Sequence, residues 1–126
     1  MIKTCIVIPA KDEALTIEKV IAQVRACCDF DVLVIDDHSA DQTASIAKTT
    51  GATVLSNVQS QGAWLATQTG LRYARSKGYQ RVITMDADGQ HRAEDIAELV
   101  AQADQADVVI GACPQRGSWA RHVAWG

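Results

Sequence analysis

The chain has 126 residues, 48% of them apolar, with a formal net charge of -3. That length suits one domain with a real core and is too short for two. The weakly acidic balance, with neither a basic stripe nor an aromatic ladder, argues against nucleic acid as a partner.

Short apolar runs alternate with longer segments of helical period. The first strand is "TCIVI", followed by "PAKDE". Like the later strands it is near-continuously apolar, as expected for a strand covered on both faces. A helix is predicted from about Leu15 to Cys27, with Ile17, Val20, Ile21 and Val24 on one face. "VLVI" is the second strand and leads into "DDHSAD". Ser39 with Gln42 three residues on is a capping-box pattern, so a second helix is predicted to start near Ser39 and to stop at Gly51. Asp41 reads as part of that helix entrance. "ATVL" is the third strand and "SNVQSQG" its exit. The third helix is predicted from about Ala63 to Ser76, ended by Gly78, with Trp64 packed on it. "RVITM" is the fourth strand, and "DADGQH" follows. A fourth helix is expected from about Ala93 to Ala103, burying Ile96, Leu99, Val100 and Ala103. "DVVIG" is the fifth strand. Residues 112–126 show no period and read as an irregular tail, which places the domain at 1–111.

This βαβαβαβαβ order predicts a three-layer α/β/α, Rossmann-like domain with a mainly parallel sheet. The expected strand order is 3-2-1-4, with the fifth beside the fourth. The four cysteines show no zinc-site spacing and read as free thiols in a reducing compartment. "CIVIPA" is too short for a signal-peptide core, and no window approaches the ~20 apolar residues of a membrane span. The expectation is a cytoplasmic protein that at most visits the cytoplasmic face of a membrane.

Ligands of open α/β sheets bind beyond the carboxyl ends of the strands. Three of the four exits there carry carboxylates. Each alone fits a helix N-terminus, where the dipole favours acids, but three on one edge suggest a site. In "DADGQH", Asp86 and Asp88 alternate, and carboxylate oxygens suit magnesium or manganese held jointly with substrate phosphates. The competing reading is an Asp-Gly turn. In "VIDDHSAD", Asp37 suits a base or a ribose hydroxyl.

Four motifs in register resemble family 2 glycosyltransferases of the GT-A fold, in their N-terminal, donor-binding half. The closest likeness is to the polyprenyl-phosphate (dolichyl-phosphate mannose synthase-like) branch. "VIPAKDEA" resembles V-I-P-A-Y-N-E, and "VIDDHSADQT" resembles V-D-D-G-S-x-D-x-T. "GAWLATQTGLRYA" resembles the G-x-x-x-A-x-x-x-G-x-x-x-A helix, and "MDADGQH" the D-A-D-x-Q-H metal motif. The resemblance covers about Lys3 to Gly111. It implies that Pro9, Ala10 and Glu13 line a nucleotide pocket and that Ile35 and Asp37 contact the base and ribose. Asp86 and Ala87 would lie against the donor. Asp88 and Gln90, with Asp86, would hold Mn2+ or Mg2+ on the diphosphate. The implied activity is transfer of a sugar from a nucleotide-diphospho-sugar to a polyprenyl-phosphate or other cell-envelope acceptor.

The chain departs from the family at Lys11 (an aromatic in relatives), Asp12 (Asn), His38 (Gly, where a positive φ is wanted), Gln61 (Lys or Gly) and Arg92 (Pro). These put nucleotide preference in doubt. Relatives continue well past residue 126, and the base that activates the acceptor is expected in that acceptor half. The chain therefore reads as truncated. The alternative is a non-catalytic nucleotide-sugar-binding or regulatory module derived from the family. A nucleotidyltransferase would need a Gly-rich loop after strand one, and a phosphoacceptor receiver would need its acidic pair there. Trp119 and Trp125 are expected to face a partner, a second copy or a membrane. Arg116 and Arg121 suit a diphosphate or lipid phosphate, and His122 reads as a surface histidine.

Overall fold

The structure is a computed structural model that describes residues 3–87, 108–110 and 121–122. The strands are β1 (Thr4–Ala10), β2 (Asp31–Asp36), β3 (Thr53–Ser56), β4 (Arg81–Thr84), β5 (Val108–Ile110) and β6 (Arg121–His122). The helices are α1 (Ile17–Cys27), α2 (Thr43–Thr49) and α3 (Ala63–Ser76). The sheet order is β3-β2-β1-β4-β5-β6. All pairings are parallel except β5 with β6. This is the α/β sheet expected, with the fifth strand beside the fourth. Part of the segment read as an irregular tail is ordered against it: Ile110 pairs with Arg121 and Val109 with His122. The predicted fourth helix lies outside the described residues.

Strand alternation divides the core into two layers. Ile6, Ile8, Val32, Val34, Ile83 and Met85 point to the face covered by α1 and α2, where they meet Ile17, Val20, Ile21, Val24 and Ala47. Cys5, Val7, Leu33, Ile35 and Val82 point to the opposite face, against Ala66 and Ala74 of α3. Each fully buried Ile or Leu stabilises the fold by roughly 1.5–3 kcal/mol. The helices therefore owe their place mainly to these apolar stripes, since α1 and α3 have no side-chain cap at their N-termini.

The small residues of α3 bring it close to the sheet. Gly62, Ala66, Gly70 and Ala74 recur every four residues, on one face. A Cβ on Gly70 would lie 2.4 Å from Val7 Cγ1 and 3.2 Å from Ile35 Cγ1. α3 ends as predicted. Gly78 has φ +84, its N–H donates to Arg75 O at 3.1 Å, and the Tyr79 N–H donates to Ala74 O at 3.0 Å. That pair of bonds is the Schellman termination, which glycine makes available.

Three expectations need correction. α1 begins at Ile17, two residues later than read, because the Glu13 carbonyl takes both the Thr16 and Ile17 N–H groups and leaves Leu15 fully exposed. α2 begins at Thr43 after Gln42, without a side-chain cap. Ser39 is spent elsewhere, its hydroxyl accepting the Asp12 N–H at 2.9 Å. Trp64 does not pack into the core but is 57% exposed. None of the described cysteines forms a disulfide; Cys5 is buried and Cys27 exposed.

Candidate functional site

The carboxyl ends of β1, β2 and β4 open onto one cavity of about 350 Å³. Its walls include Pro9, Ala10, Lys11 and Glu13 after β1, and Asp37 after β2. Ser60, Gly62, Ala63 and Ala66 contribute from the β3–α3 side, and Asp86 and Ala87 from the exit of β4. Six residues singled out from the sequence thus meet in one place: Pro9, Ala10, Glu13, Asp37, Asp86 and Ala87. Ile35 is not among them. It points away beneath α3 and is fully buried, because it alternates with Val34 and Asp36 along β2. Asp88 and Gln90 lie outside the described residues.

The loop after β1 is held by the loop after β2. Asp41 Oδ2 accepts the Ala14 N–H at 3.1 Å, and the Thr43 hydroxyl accepts the Glu13 N–H at 2.9 Å. Asp12 Oδ1 accepts the Ala40 N–H at 2.7 Å in return. Asp41 also accepts from the Thr43 N–H and hydroxyl, an Asx-type turn into α2. The Thr43 hydroxyl is the main cause that holds the Asp41 carboxyl below its usual pKa. Asp41 is therefore structural, as read. The two loops also use left-handed backbone, with φ +54 at Asp12 and +61 at His38. His38 thus adopts a positive φ, a conformation that glycine takes at less cost.

The exit of β4 is anchored on the other side. The Met85 N–H donates to Val7 O at 3.0 Å. The Thr16 hydroxyl lies 2.6 Å from Ala87 O and 3.1 Å from Glu13 Oε2. Asp86 therefore stands on a segment fixed at both ends, half-buried at the cavity wall.

Asp37 has a role that sequence reasoning missed. It is 3% exposed. Its Oδ1 accepts from Asn57 Nδ2 at 2.9 Å and from the Gln61 N–H at 2.8 Å. Its Oδ2 accepts from the Ser60 hydroxyl at 3.1 Å and the Gly62 N–H at 2.9 Å. Burial pushes this carboxyl up, but the four hydrogen bonds outweigh it and leave the pKa below the ordinary Asp value. Asp37 is thus the post around which residues 57–62 are wrapped, besides being part of the cavity wall. The Asn, Ser and Gly of "SNVQSQG" were the available signal, since such residues build loops by side-chain and backbone bonding.

Lys11 is the one basic residue among the described lining residues. Its Nζ donates to Ser60 Oγ at 2.8 Å, bridging the loops after β1 and β3. The wall otherwise carries three carboxylates, and an anionic ligand would meet net negative charge there unless a cation came with it. Glu13 and Asp86 contribute hard carboxylate oxygens, the donor type that magnesium and manganese take. Asp37 suits such an ion poorly, its lone pairs being engaged. Among the described residues no three potential metal ligands cluster, and Asp88 and Gln90 fall outside that set.

Both the sequence and the fold resemble known glycosyltransferases. The family model "Glycosyl transferase family 2" matches residues 5–125. The chain is 34% identical over 111 residues to the undecaprenyl-phosphate mannosyltransferase of Micrococcus luteus, covering 83% of this chain and 46% of that protein. It is 28% identical to the polyprenol monophosphomannose synthase of Mycolicibacterium smegmatis, covering 98% and 49%. Among solved structures, glucosyl-3-phosphoglycerate synthase of Mycobacterium tuberculosis, in complex with Mn2+, UDP and glucosyl-3-phosphoglycerate, superposes with a TM-score of 0.64. That match has 27% identity and covers 79% of this chain and 39% of that one. Mannosyl-3-phosphoglycerate synthase of Rubrobacter xylanophilus, at 24% identity and a TM-score of 0.69, is similar in fold. The chain spans about half the length of the curated relatives it matches.

Proposed function

We propose that this chain, which belongs to glycosyl transferase family 2, binds a nucleotide-diphospho-sugar together with a divalent cation at the carboxyl edge of its sheet. The sugar is passed to a polyprenyl-phosphate acceptor. The observation that carries this reading is the meeting of Glu13, Asp37 and Asp86, from three separate strand exits, around one cavity. Carboxylates collected in this way suit an anionic ligand only if a metal ion mediates. The mannosyltransferase relatives support the choice of acceptor class. Exposed Val58, Trp64 and Leu65, on the loop and helix start beside the cavity, are compatible with work at a lipid surface. Among the described residues no helix is long and apolar enough to cross a membrane.

Asp86, Asp88 and Gln90 are the residues proposed to hold Mn2+ or Mg2+. The ion's chemistry is to neutralise charge on the departing nucleoside diphosphate. The chain's own contribution is positional. Pro9, Ala10 and Glu13 shape one wall, the hydrogen bonds of Asp37 fix the opposite wall, and the Thr16 contact keeps the β4 exit in place. A site held at strand ends is more sharply placed than one on free loops. Among the cavity carboxylates, Glu13 holds Thr16 and Asp37 holds the loop, so positioning of the acceptor's phosphate oxygen for attack on the sugar is assigned to residues outside the described set.

A thermal-shift screen of nucleotide sugars with and without manganese tests donor binding, since a ligand of the folded state raises Tm by mass action. Incubation with labelled donor and polyprenyl phosphate tests transfer. Tm shifts that require metal are expected, and label appearing in lipid would support the transferase reading. Metal-dependent binding without transfer would favour a non-catalytic donor-binding module, and no shift with any nucleotide sugar would overturn the reading.

A further inference from the structure

Thr16 stands at the N-cap of α1, where a threonine ordinarily accepts a first-turn N–H with its hydroxyl. Here it makes no such bond. The hydroxyl is turned the other way, to Ala87 O at 2.6 Å, 71 positions along the chain. Glu13 Oε2 lies 3.1 Å from the same oxygen. A hydroxyl has one proton to give, and a carbonyl and an ionised carboxylate can only accept. The shorter contact takes the proton. Thr16 therefore donates to Ala87, and Glu13 Oε2 beside it receives no proton from Thr16.

We infer that Thr16 is a positioning residue of the metal site: its hydroxyl is withheld from the helix and fixes the Ala87 carbonyl, and with it the aim of the Asp86 carboxylate. This rests on the nucleotide and metal reading above. Asp86 lies between two anchors. On one side the Met85 N–H is tied to Val7 O at 3.0 Å, and on the other Ala87 O is tied to Thr16. Ala87 is 3% exposed, so its carbonyl has little access to water if the hydroxyl is removed. The peptide must then turn to find another donor, and Asp86 turns with it. A carboxylate that has to be re-aimed as the ion arrives binds it less well. Outer-shell partners of this kind are typically worth 10–100-fold in metal affinity. The same bond joins the start of α1 to the exit of β4, so the two walls that carry Glu13 and Asp86 keep a fixed separation.

The test is the Mn2+ concentration that half-restores binding of UDP or GDP to the metal-stripped chain, measured in the parent, Thr16→Val, Thr16→Ala and Thr16→Ser. Valine keeps the shape of threonine without the hydroxyl, alanine removes hydroxyl and branch together, and serine keeps the hydroxyl. Thr16→Val and Thr16→Ala should each need roughly tenfold more Mn2+, and Thr16→Ser should stay within about twofold of the parent, since the hydroxyl is what matters. At saturating Mn2+ the nucleotide affinity of all three should return to near that of the parent. Urea midpoints of the ligand-free chains separate this from a purely structural role. A lower midpoint in Thr16→Val and Thr16→Ala with an unchanged Mn2+ requirement would overturn the inference. So would a Thr16→Ser chain as impaired as Thr16→Val, or a nucleotide affinity that stays low at saturating Mn2+. Each of these leaves the nucleotide site standing. A parent chain that binds neither UDP nor GDP at any Mn2+ concentration would remove the nucleotide reading and this inference with it.

Discussion

The Gly62 N–H points at Asp37 Oδ2 from 2.9 Å, so the residue that ends β2's exit also sets the first turn of α3. The wall of the cavity and the loop that shapes it are one hydrogen-bonded unit. Asp37→Asn puts an amide nitrogen against donors that now lack an acceptor. The expected cost is about 1–3 kcal/mol, typical of buried polar groups left unpaired. Urea denaturation of parent and variant measures it.

The same carboxylate makes stability depend on acid. The folded pKa of Asp37 lies below its usual value, so the unfolded chain takes up its proton first as pH falls. The contribution is complete above the unfolded pKa of roughly 3.9 and is lost as pH drops through the folded value. Denaturation midpoints measured down the acid limb should therefore fall less steeply in Asp37→Asn than in the parent. Parallel limbs would show that the Asp37 bonds carry no net stability.

Packing of α3 on the sheet makes a sharper structural prediction. Gly70→Ala places a methyl 2.4 Å from Val7 Cγ1. The higher helix propensity of alanine is worth about 1 kcal/mol, and the overpacking costs about 1–3 kcal/mol. The variant is expected to be less stable, with Val7→Ala in the same chain recovering part of the loss. A Gly70→Ala chain as stable as the parent would mean that α3 sits further from β1.

His38 offers the opposite sign. Its φ of +61 belongs to the left-handed region, which costs a non-glycine residue about 1 kcal/mol. His38→Gly should raise Tm slightly, the relief being partly cancelled by the greater entropy of the unfolded glycine chain. A clear drop in Tm would mean that the imidazole makes contacts worth more than the strain.

What the sequence made legible follows from the range of each signal. The strands stood out because β-branched runs are local, and β1, β2 and β4 are buried on both faces. α3 was placed correctly at both ends, since the small-residue stripe and Gly78 both lie within it or next to it. The start of α2 was misplaced because Ser39 and Asp41, which look like caps, are used to tie down residues 12 to 14. Ile35 was assigned to the pocket although strand alternation turns it toward α3. The double duty of Asp37 was hidden because its partners lie 20 to 25 positions away, and two of them are backbone N–H groups. Ser60 and Lys11 were not linked, because only the fold brings the loops after β1 and β3 together.

On the reading proposed above, the carboxylate-lined cavity holds a nucleoside diphosphate through a divalent cation. Titration calorimetry of UDP and GDP into the chain, with Mn2+ and then with the metal chelated, measures it directly in the parent, Asp86→Asn and Asp88→Asn. Binding is expected in the parent only with metal, with loss of that binding in Asp88→Asn, weakening in Asp86→Asn, and unchanged circular dichroism in both variants. Equal affinity with and without Mn2+, indifferent to both substitutions, would contradict it.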